Sequence, residues 1–342
     1  MNARNPQACL QTGQTDCHDE SGRETPCFGS GQDAAFRAGA KWPEPRFEAA
    51  DGVVLDRLTG LVWARDANLA GWPMFWDEAL EYVAGMNRDR ALGFSDWRLP
   101  NRRELRSLVS CQTRRPALPT GHPFMNVVES WCWTSTSAAI RPAHAWYVHM
   151  AGARMFYGAK DQSYLVWPVR GTGNGLLPAT GQTSCFDRLG RQIACAGSGQ
   201  DGETRTGRAW PEKRFSVAED VVIDHLTGLG WRRDASLTAA PVSWREALAA
   251  VAEVNGSGDD AGPWRLPNIN ELESLVDCEN AAPALPGGHP FLNVRDSYWS
   301  STTSAFEPDW AWALYLEKGA VGVGGKGGRH FFAWAVSNRR RP

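Results

Sequence analysis

No stretch of this sequence approaches the ~20 consecutive apolar residues that a membrane-spanning helix needs. There is no GxSxG turn to raise a nucleophilic serine, and no CxxC pair or clustered histidine to suggest zinc. Net charge is −2, so bulk electrostatics give nucleic acid or an anionic membrane no pull. Lysine is scarce. The start, "MNARNPQACLQTGQT", lacks the charged and apolar regions of a secretory signal. The expectation is a cytoplasmic chain, or an exported one whose signal was removed before this start, and cysteine usage has to choose.

What the sequence does have is tryptophan, 17 residues of it, and 35 glycines in 342 residues. Many aromatics and glycines with few long apolar runs point to short strands and tight turns rather than a helical bundle. Most of the tryptophans recur in pairs. "TGQTDC" from Thr12 returns as "TGQTSC" from Thr180, and "GSGQD" at Gly29 returns at Gly197. "WPEPRF" at Trp42 returns as "WPEKRF" at Trp210, and "DRLTGLVW" at Asp56 as "DHLTGLGW" at Asp224. All four repeats are 168 residues apart. "DWRLPNRRELRSLV" from Asp96, "PALPTGHPF" from Pro116 and "WTSTS" from Trp133 have partners in "PWRLPNINELESLV" from Pro263, "PALPGGHPF" from Pro283 and "WSSTT" from Trp299. Seven tryptophan pairs match, leaving Trp72, Trp131 and Trp310 single.

A repeat this long is a domain with its own core, not a solenoid unit. The expected division is an extension at 1–11, one copy at 12–171, a linker at 172–179 and a second copy at 180–342. Within a copy, "LTG" between two apolar runs reads as a hairpin turn, with Gly60 and Gly228 free to take positive φ. "WDEALEYVAGM" and "WREALAAVAEV" have helical spacing, and Ser243 with Glu246 forms a capping box in the second. In the repeated joint, Pro biases Leu99 and Leu266 away from helix. Asn101 and Asn268 then cap a second helix, with Glu104 and Glu271 three residues on and Trp97 and Trp264 at the joint's start. These six residues are predicted to be structural. After the second helix come short aromatic strands: "SWCWTSTS", "HAWYVHM", "ARMFYGA" and "LVWPVRG". The fold class expected is α+β, with two helices and a β-rich half in each copy.

Cys17 and Cys27 lie ten residues apart and recur as Cys185 and Cys195. Each pair is predicted to form a disulfide, which favours an oxidising compartment. Cys111 and Cys278 hold equal positions as buried thiols or as a bond between copies. Cys9 and Cys132 belong to the first copy alone, and their connectivity stays open.

Catalytic signals are weak. His122 and His289 precede Pro-Phe in both copies and read as loop histidines. The Ser/Thr runs read as the polar side of a strand. Lectin-type calcium binding needs clustered oxygen ligands, and Glu307-Pro308-Asp309 is the nearest approach to such a signature, with Arg141-Pro142-Ala143 in the first copy. No metal ligands, cofactor or catalytic residues are assigned, and calcium is kept as a remote alternative.

"TGLVW" at Thr59, "DWRLPNRREL" at Asp96, "GHPF" at Gly121, "WTSTS" at Trp133, "AWYV" at Ala145 and "VWPVRG" at Val166 resemble the Lcl C-terminal domain family, a bacterial domain named from the tail of a collagen-like adhesin. The second copy offers "TGLGW", "WRLPNINEL", "GHPF", "YWSSTT" and "AWAL", and departs at its end, where "AWAVSN" stands for "WPVRG". The resemblance implies two tandem C-type-lectin-like domains, a cell-surface, extracellular or periplasmic location, and a binding role towards polysaccharide or another surface protein. It implies no enzyme activity. The alternatives are an assembly module of a surface appendage or envelope complex and, remotely, an oxidase of the formylglycine-generating type, which would need a reactive Cys pair.

Between the copies the framework is kept while late polar and aromatic residues change. His144, Arg154, Tyr157 and Lys160 in the first copy, and Trp310, Lys326, Arg329 and His330 in the second, are the candidate ligand contacts. Rings can cover the apolar faces of sugars, and Arg and Lys can hold sulfate or carboxylate.

Overall fold

In a computed structural model, residues 9–256 and 263–338 are described. Residues 1–8 of the expected extension and 339–342 of the second copy fall outside them. Six α-helices and short antiparallel strands alternate among the described residues. The α+β class holds.

Two compact units divide the chain, and they are not the two sequence copies. One combines Trp42–Ala209 with Asp277–Glu279. The other combines Met1–Lys41, Trp210–Val276 and Asn280–Pro342. Each repeat has therefore parted from its first thirty-odd residues. We call residues 9–41 and 178–209 arms, and 42–170 and 210–338, less Asp277–Glu279, bodies.

The first body opens with strands Phe47–Ala50, Val53–Asp56 and Leu61–Ala64 in antiparallel register. The turn before the third strand uses Gly60 at φ +72°, as Gly228 does at +75° in the second body. Asp56 shapes this turn by accepting from Leu58 N at 3.1 Å and Thr59 Oγ1 at 3.0 Å. Its carboxylate also pairs with buried Arg46, whose guanidinium reaches the carbonyl of Ser107 at 2.6 Å and lies 4.5 Å from the Trp42 ring. Arg214, Asp224, Ser274 and Trp210 repeat the arrangement. The "WPExRF…DxLTG" repeat is thus one buried ion pair with its stacked indole.

Helix Trp76–Arg88 buries Trp76, Ala79, Val83 and Met86, a stripe at helical spacing. Asn87 near its end clamps Trp97, accepting from its N–H at 2.6 Å and donating to its carbonyl at 2.7 Å. Asn255 does the same to Trp264. Both Trp97 and Trp264 are buried, as expected. Helices Arg102–Ser107 and Ile269–Ser274 carry the predicted capping boxes of Asn101 with Glu104 and Asn268 with Glu271. The late strands Trp131–Ser137, His144–His149 and Met155–Ala159 pair in sequence. In the second body Ser297–Thr303, Trp310–Tyr315 and Ala320–Gly325 do likewise.

Six of the seven tryptophan pairs are buried. Three donate their indole N–H to the same carbonyl in each copy. Trp76 and Trp244 reach Thr134 and Ser300, Trp133 and Trp299 reach Met74 and Val242, and Trp167 and Trp334 reach Ala64 and Arg232, all within 3.0 Å. A large apolar ring with a satisfied polar edge fixes both packing and orientation. The altered ending "AWAVSN" still forms its strand, because Val336–Ser337 pairs with Leu229–Arg232 through the backbone, as Val169–Arg170 pairs with Leu61–Ala64. What the second body loses is the Arg170–Asp96 ion pair of 2.7 Å. The predicted linker is pinned rather than loose: Asn174 N donates to Thr59 O at 2.8 Å and its side chain to Leu58 O at 3.0 Å.

Each arm is a short hairpin, a disulfide and a one-turn helix. The disulfides are Cys17–Cys27 and Cys185–Cys195, as predicted. The one-turn helices Asp33–Phe36 and Asp201–Thr204 were not expected from sequence. The arm 9–41 docks on the body 210–338. Thr12 and Thr302 both donate to buried Asp33 Oδ2, at 2.6 and 2.8 Å. The Gln14 amide exchanges two hydrogen bonds with the Thr303 backbone, at 2.8 and 2.9 Å. Asn268 Nδ2 donates to Ala38 O at 3.1 Å. The arm 178–209 repeats the set on the body 42–170: Thr180 and Thr136 on Asp201, Gln182 on the Ser137 backbone, and Asn101 on Thr206. The recurrent "TGQT" and "GSGQD" are the arm's docking residues.

Candidate functional site: an aromatic cup on the late strands

The late strands of the two bodies share a backbone and differ in which positions carry rings. In the first body, Trp131 stands opposite His149 and Trp133 opposite Tyr147. Alternation puts these side chains on one face. Their rings pack closely, with centroids 4.3 Å apart for Trp131–Tyr147, 4.6 Å for Trp131–His149 and 4.8 Å for Tyr147–Tyr164. Gly158 forms the floor, since a Cβ there would strike the Tyr147 ring. Burial, with Tyr164 beside it, pushes the Tyr147 hydroxyl up to about 12.

In the second body the register is the same, but Ser297 stands where Trp131 does and Ala313 where Tyr147 does. Two rings are missing from the stack. A cavity of about 510 Å³ occupies this part of the second body, walled by Trp310, Tyr315 and Phe331, with Ser297, Gly324 and His330 also on its lining. Gly324 is again indispensable, because a Cβ there would meet Phe331. Phe331 is held edge-on by Trp299 at 4.5 Å and Tyr315 at 5.5 Å. Trp310 and Tyr315 are half-buried and His330 is exposed, so the rings are reachable from solvent. Lys318 Nζ lies 5.4 Å from the Tyr315 ring. The volume falls within the range of small-molecule sites, and its chemistry is aromatic walls with a few polar rim groups.

The eight residues expected to touch ligand divide sharply. Trp310 and His330 line the cup. His144 and Tyr157 meet each other at 5.8 Å on the opposite strand face, with Trp146 beneath Tyr157. Burial and Arg141 hold the His144 imidazole below its ordinary range. Arg154 is half-buried just before strand Met155–Ala159. Arg329 is ion-paired with Glu246 on helix Trp244–Gly256.

Lys160 and Lys326 are the correction. Both are fully buried and cannot meet a ligand directly. Lys160 Nζ donates to Ser137 Oγ at 2.8 Å and to the arm carbonyl of Phe186 at 3.0 Å, and lies 3.9 Å from the Trp76 ring centroid. Lys326 Nζ donates to the arm carbonyls of His18 and Asp19 and lies 4.2 Å from the Trp244 ring centroid. Burial pulls Lys160 down to about 7 and Lys326 to about 8. A lysine is normally a surface residue, and nothing local in either sequence marks these two as clamps. Sequence reading also passed over Ser297 and Ala313. Comparison of the two copies could have found them as small residues opposite Trp131 and Tyr147.

Other candidates have quieter surroundings. Cys132 and Cys278 are buried thiols pushed up to about 12 by burial, and Cys9 and Cys111 are buried too. His122 and His289 pack beside Phe124 and Phe291, at 5.9 and 5.8 Å, and burial holds both below their ordinary range. Glu307-Pro308-Asp309 makes the turn before Trp310–Tyr315, its backbone against Gly22 of the arm. Among the described residues no helix is long and apolar enough to cross a membrane, and no group of three or more His, Cys, Asp or Glu is placed to hold a metal ion.

No curated protein matches this chain. The family model of the Lcl C-terminal domain matches at residues 52–170 and again at 220–337, each match falling within one body and leaving both arms outside. The chain belongs to the Lcl C-terminal domain family, and carries that domain twice.

Proposed function

We propose that this tandem-domain protein binds an extracellular saccharide, with the cup of Trp310, Tyr315 and Phe331 as the primary contact, on bodies of C-type-lectin-like shape. The observation that carries the reading is the absence of the Trp131 and Tyr147 rings at Ser297 and Ala313, beside a cavity whose lining includes Ser297. An aromatic wall suits the apolar C–H face of a sugar ring, and Ser297 Oγ, the Tyr315 hydroxyl and His330 supply hydrogen bonds at its edge. The two disulfides support an oxidising, exported setting. The reading assigns no catalysis and no cofactor, calcium included. The high thiol values of Cys132 and Cys278 argue against the redox chemistry of a formylglycine-generating oxidase.

A glycan array probed with the intact protein tests the proposal. Binding that free sugar competes away, and that Tyr315→Ser and Trp310→Ala weaken at least tenfold, is expected. Uniform silence, or binding indifferent to both substitutions, overturns it.

One observation favours the alternative of a surface assembly module. Phe28 is completely exposed and Phe36 half-exposed, and both border a groove of about 600 Å³ between the arm and helix Trp244–Gly256. Exposed rings of this kind are typical of protein-binding surfaces. Phe28→Ser would then impair assembly while leaving sugar binding intact.

A further inference from the structure

We propose that the first arm and helix Trp244–Gly256 form a docking site for an acidic segment of a partner protein. A carboxylate of the partner is held by the backbone N–H groups of Gly29 and Gly31, and its apolar neighbours by Phe28 and Phe36. The site is separate from the saccharide cup and does not rest on it.

The second arm shows what this loop binds. Glu203 there accepts from Gly197 N at 2.5 Å and from Gly199 N at 2.7 Å, so one carboxylate spans two backbone donors. Backbone N–H groups that converge in this way make an anion-binding concavity. The first arm has the same loop. Gly29 and Gly31 both sit at φ +71°, against +76° and +67° for Gly197 and Gly199. Ser30 N donates to Cys27 O at 3.1 Å where Ser198 N donates to Cys195 O at 3.0 Å. What the first arm lacks is the acid, because Ala35 stands where Glu203 does. Among the described residues neither Gly29 N–H nor Gly31 N–H meets a protein acceptor. The carboxylate seat is built, and the chain supplies no carboxylate of its own to it.

The surroundings differ to match. The corresponding groove beside the second arm, of about 610 Å³, carries Asp77, Glu81, Asp187 and Glu203 on its lining. The groove beside the first arm has no carboxylate on its described lining, and Arg245 and Ala249 take the places of Asp77 and Glu81 on the helix. An incoming anion meets no like charge on those walls. They are aliphatic, from Ala34, Leu248, Val251 and Ala252. Phe28 is completely exposed and Phe36 half-exposed beside them, where the second arm has Ala196 and Thr204. A sugar would bury hydroxyls without partners against such walls, whereas Leu, Val or Phe beside an Asp or Glu fits them. Capture of a carboxylate by a backbone concavity is a known mode of peptide recognition. The occupant is therefore a peptide segment and not a uronic acid.

The test titrates short acetylated and amidated peptides, with a single Glu among Leu, Val and Phe, into the full-length protein. Their Gln isosteres serve as controls. Fluorescence anisotropy reads the affinity, and the amide resonances of Gly29 and Gly31 read the site. The Glu peptides are expected to bind and to move both glycine signals downfield, with the Gln isosteres roughly tenfold weaker. Ala35→Glu, which supplies the second arm's own carboxylate, is expected to abolish binding, and Phe28→Ser to weaken it. Tyr315→Ser disables the cup and should leave peptide binding unchanged, so failure of either site is read separately. Glu peptides that do not bind, Gln isosteres that bind equally well, or full binding by Ala35→Glu overturn the proposal. So does a galacturonate oligomer that shifts the same two amides at lower concentration than any peptide. If Ala35→Glu fails to fold, the glycine shifts and Phe28→Ser decide.

Discussion

Lys326 Nζ lies 2.9 Å from the carbonyl oxygen of His18, a residue 308 positions earlier in the chain. A second carbonyl, that of Asp19, is 3.2 Å away, and the Trp244 ring covers the ammonium from the other side. Lys326→Met keeps the volume and leaves both carbonyls short of a donor, which costs about 1–3 kcal/mol. The loss should appear first as faster amide exchange in residues 9–41, with the body 42–170 unaffected. Burial holds the Lys326 value at about 8, below the roughly 10.4 of an unfolded lysine. Stability should therefore rise as pH goes from about 8 towards 10, because the unfolded chain binds the extra proton there, and Lys326→Met should remove its share of that slope, leaving the part that Lys160, at about 7, contributes with the same sign. Denaturant midpoints across this range check it.

Asp33 and Asp201 give the opposite slope on the acid side. Each is buried beneath two threonine hydroxyls, and burial pushes each carboxyl up to about 6 despite those bonds. Glu271 beside Asp33 pushes the same way and Arg265 opposes it. The folded state binds more protons than the unfolded chain between about pH 4 and 6, so these groups favour folding less as pH rises through that window. Asp33→Asn/Asp201→Asn should flatten this part of the stability profile. An unchanged profile would show that the carboxyls do not titrate with arm docking.

The cup can be filled from its own counterpart. Ser297→Trp with Ala313→Tyr puts the first body's stack on the second body's strands, where Gly324 already provides the flat floor. The double variant should fold with a melting temperature close to wild type and lose saccharide binding entirely. Retained binding at wild-type affinity would place the ligand elsewhere.

Arg46 and Asp56 form a buried ion pair of 2.9 Å, with Arg46 also holding the Ser107 carbonyl. Removing one partner leaves a charge buried without its mate, so Arg46→Ala should cost about 3–5 kcal/mol. Urea unfolding measures it, and Arg214→Ala should behave alike in the second body.

Much of this architecture was legible. The tryptophan pairs marked the cores, because a buried indole cannot drift without leaving a hole. The Asn-x-x-Glu caps and the Leu-Thr-Gly turns were readable because their geometry is set within four residues. The Cys17–Cys27 and Cys185–Cys195 bridges followed from short-range spacing. What escaped was long-range. A repeat records which residues are neighbours along the chain, and two arms with the same docking residues look the same whichever body they serve. Lys160 and Lys326 escaped for the same reason: their partners are arm carbonyls, which carry no residue-specific signature. The cup escaped because a cavity is written in what is small, Ser297 and Ala313, and attention goes to what is large.

The partnership of Asp33 with Thr302 has a consequence for the order of events at synthesis. The first arm leaves the ribosome early, yet its seat is not complete until strand Ala320–Gly325 and Lys326 have been made. A nascent chain must carry that segment unseated while the intervening residues are made. Chaperones that guard unfinished chains would find a lasting target in residues 9–41, and a premature stop before Lys326 would leave that arm without its lysine contact.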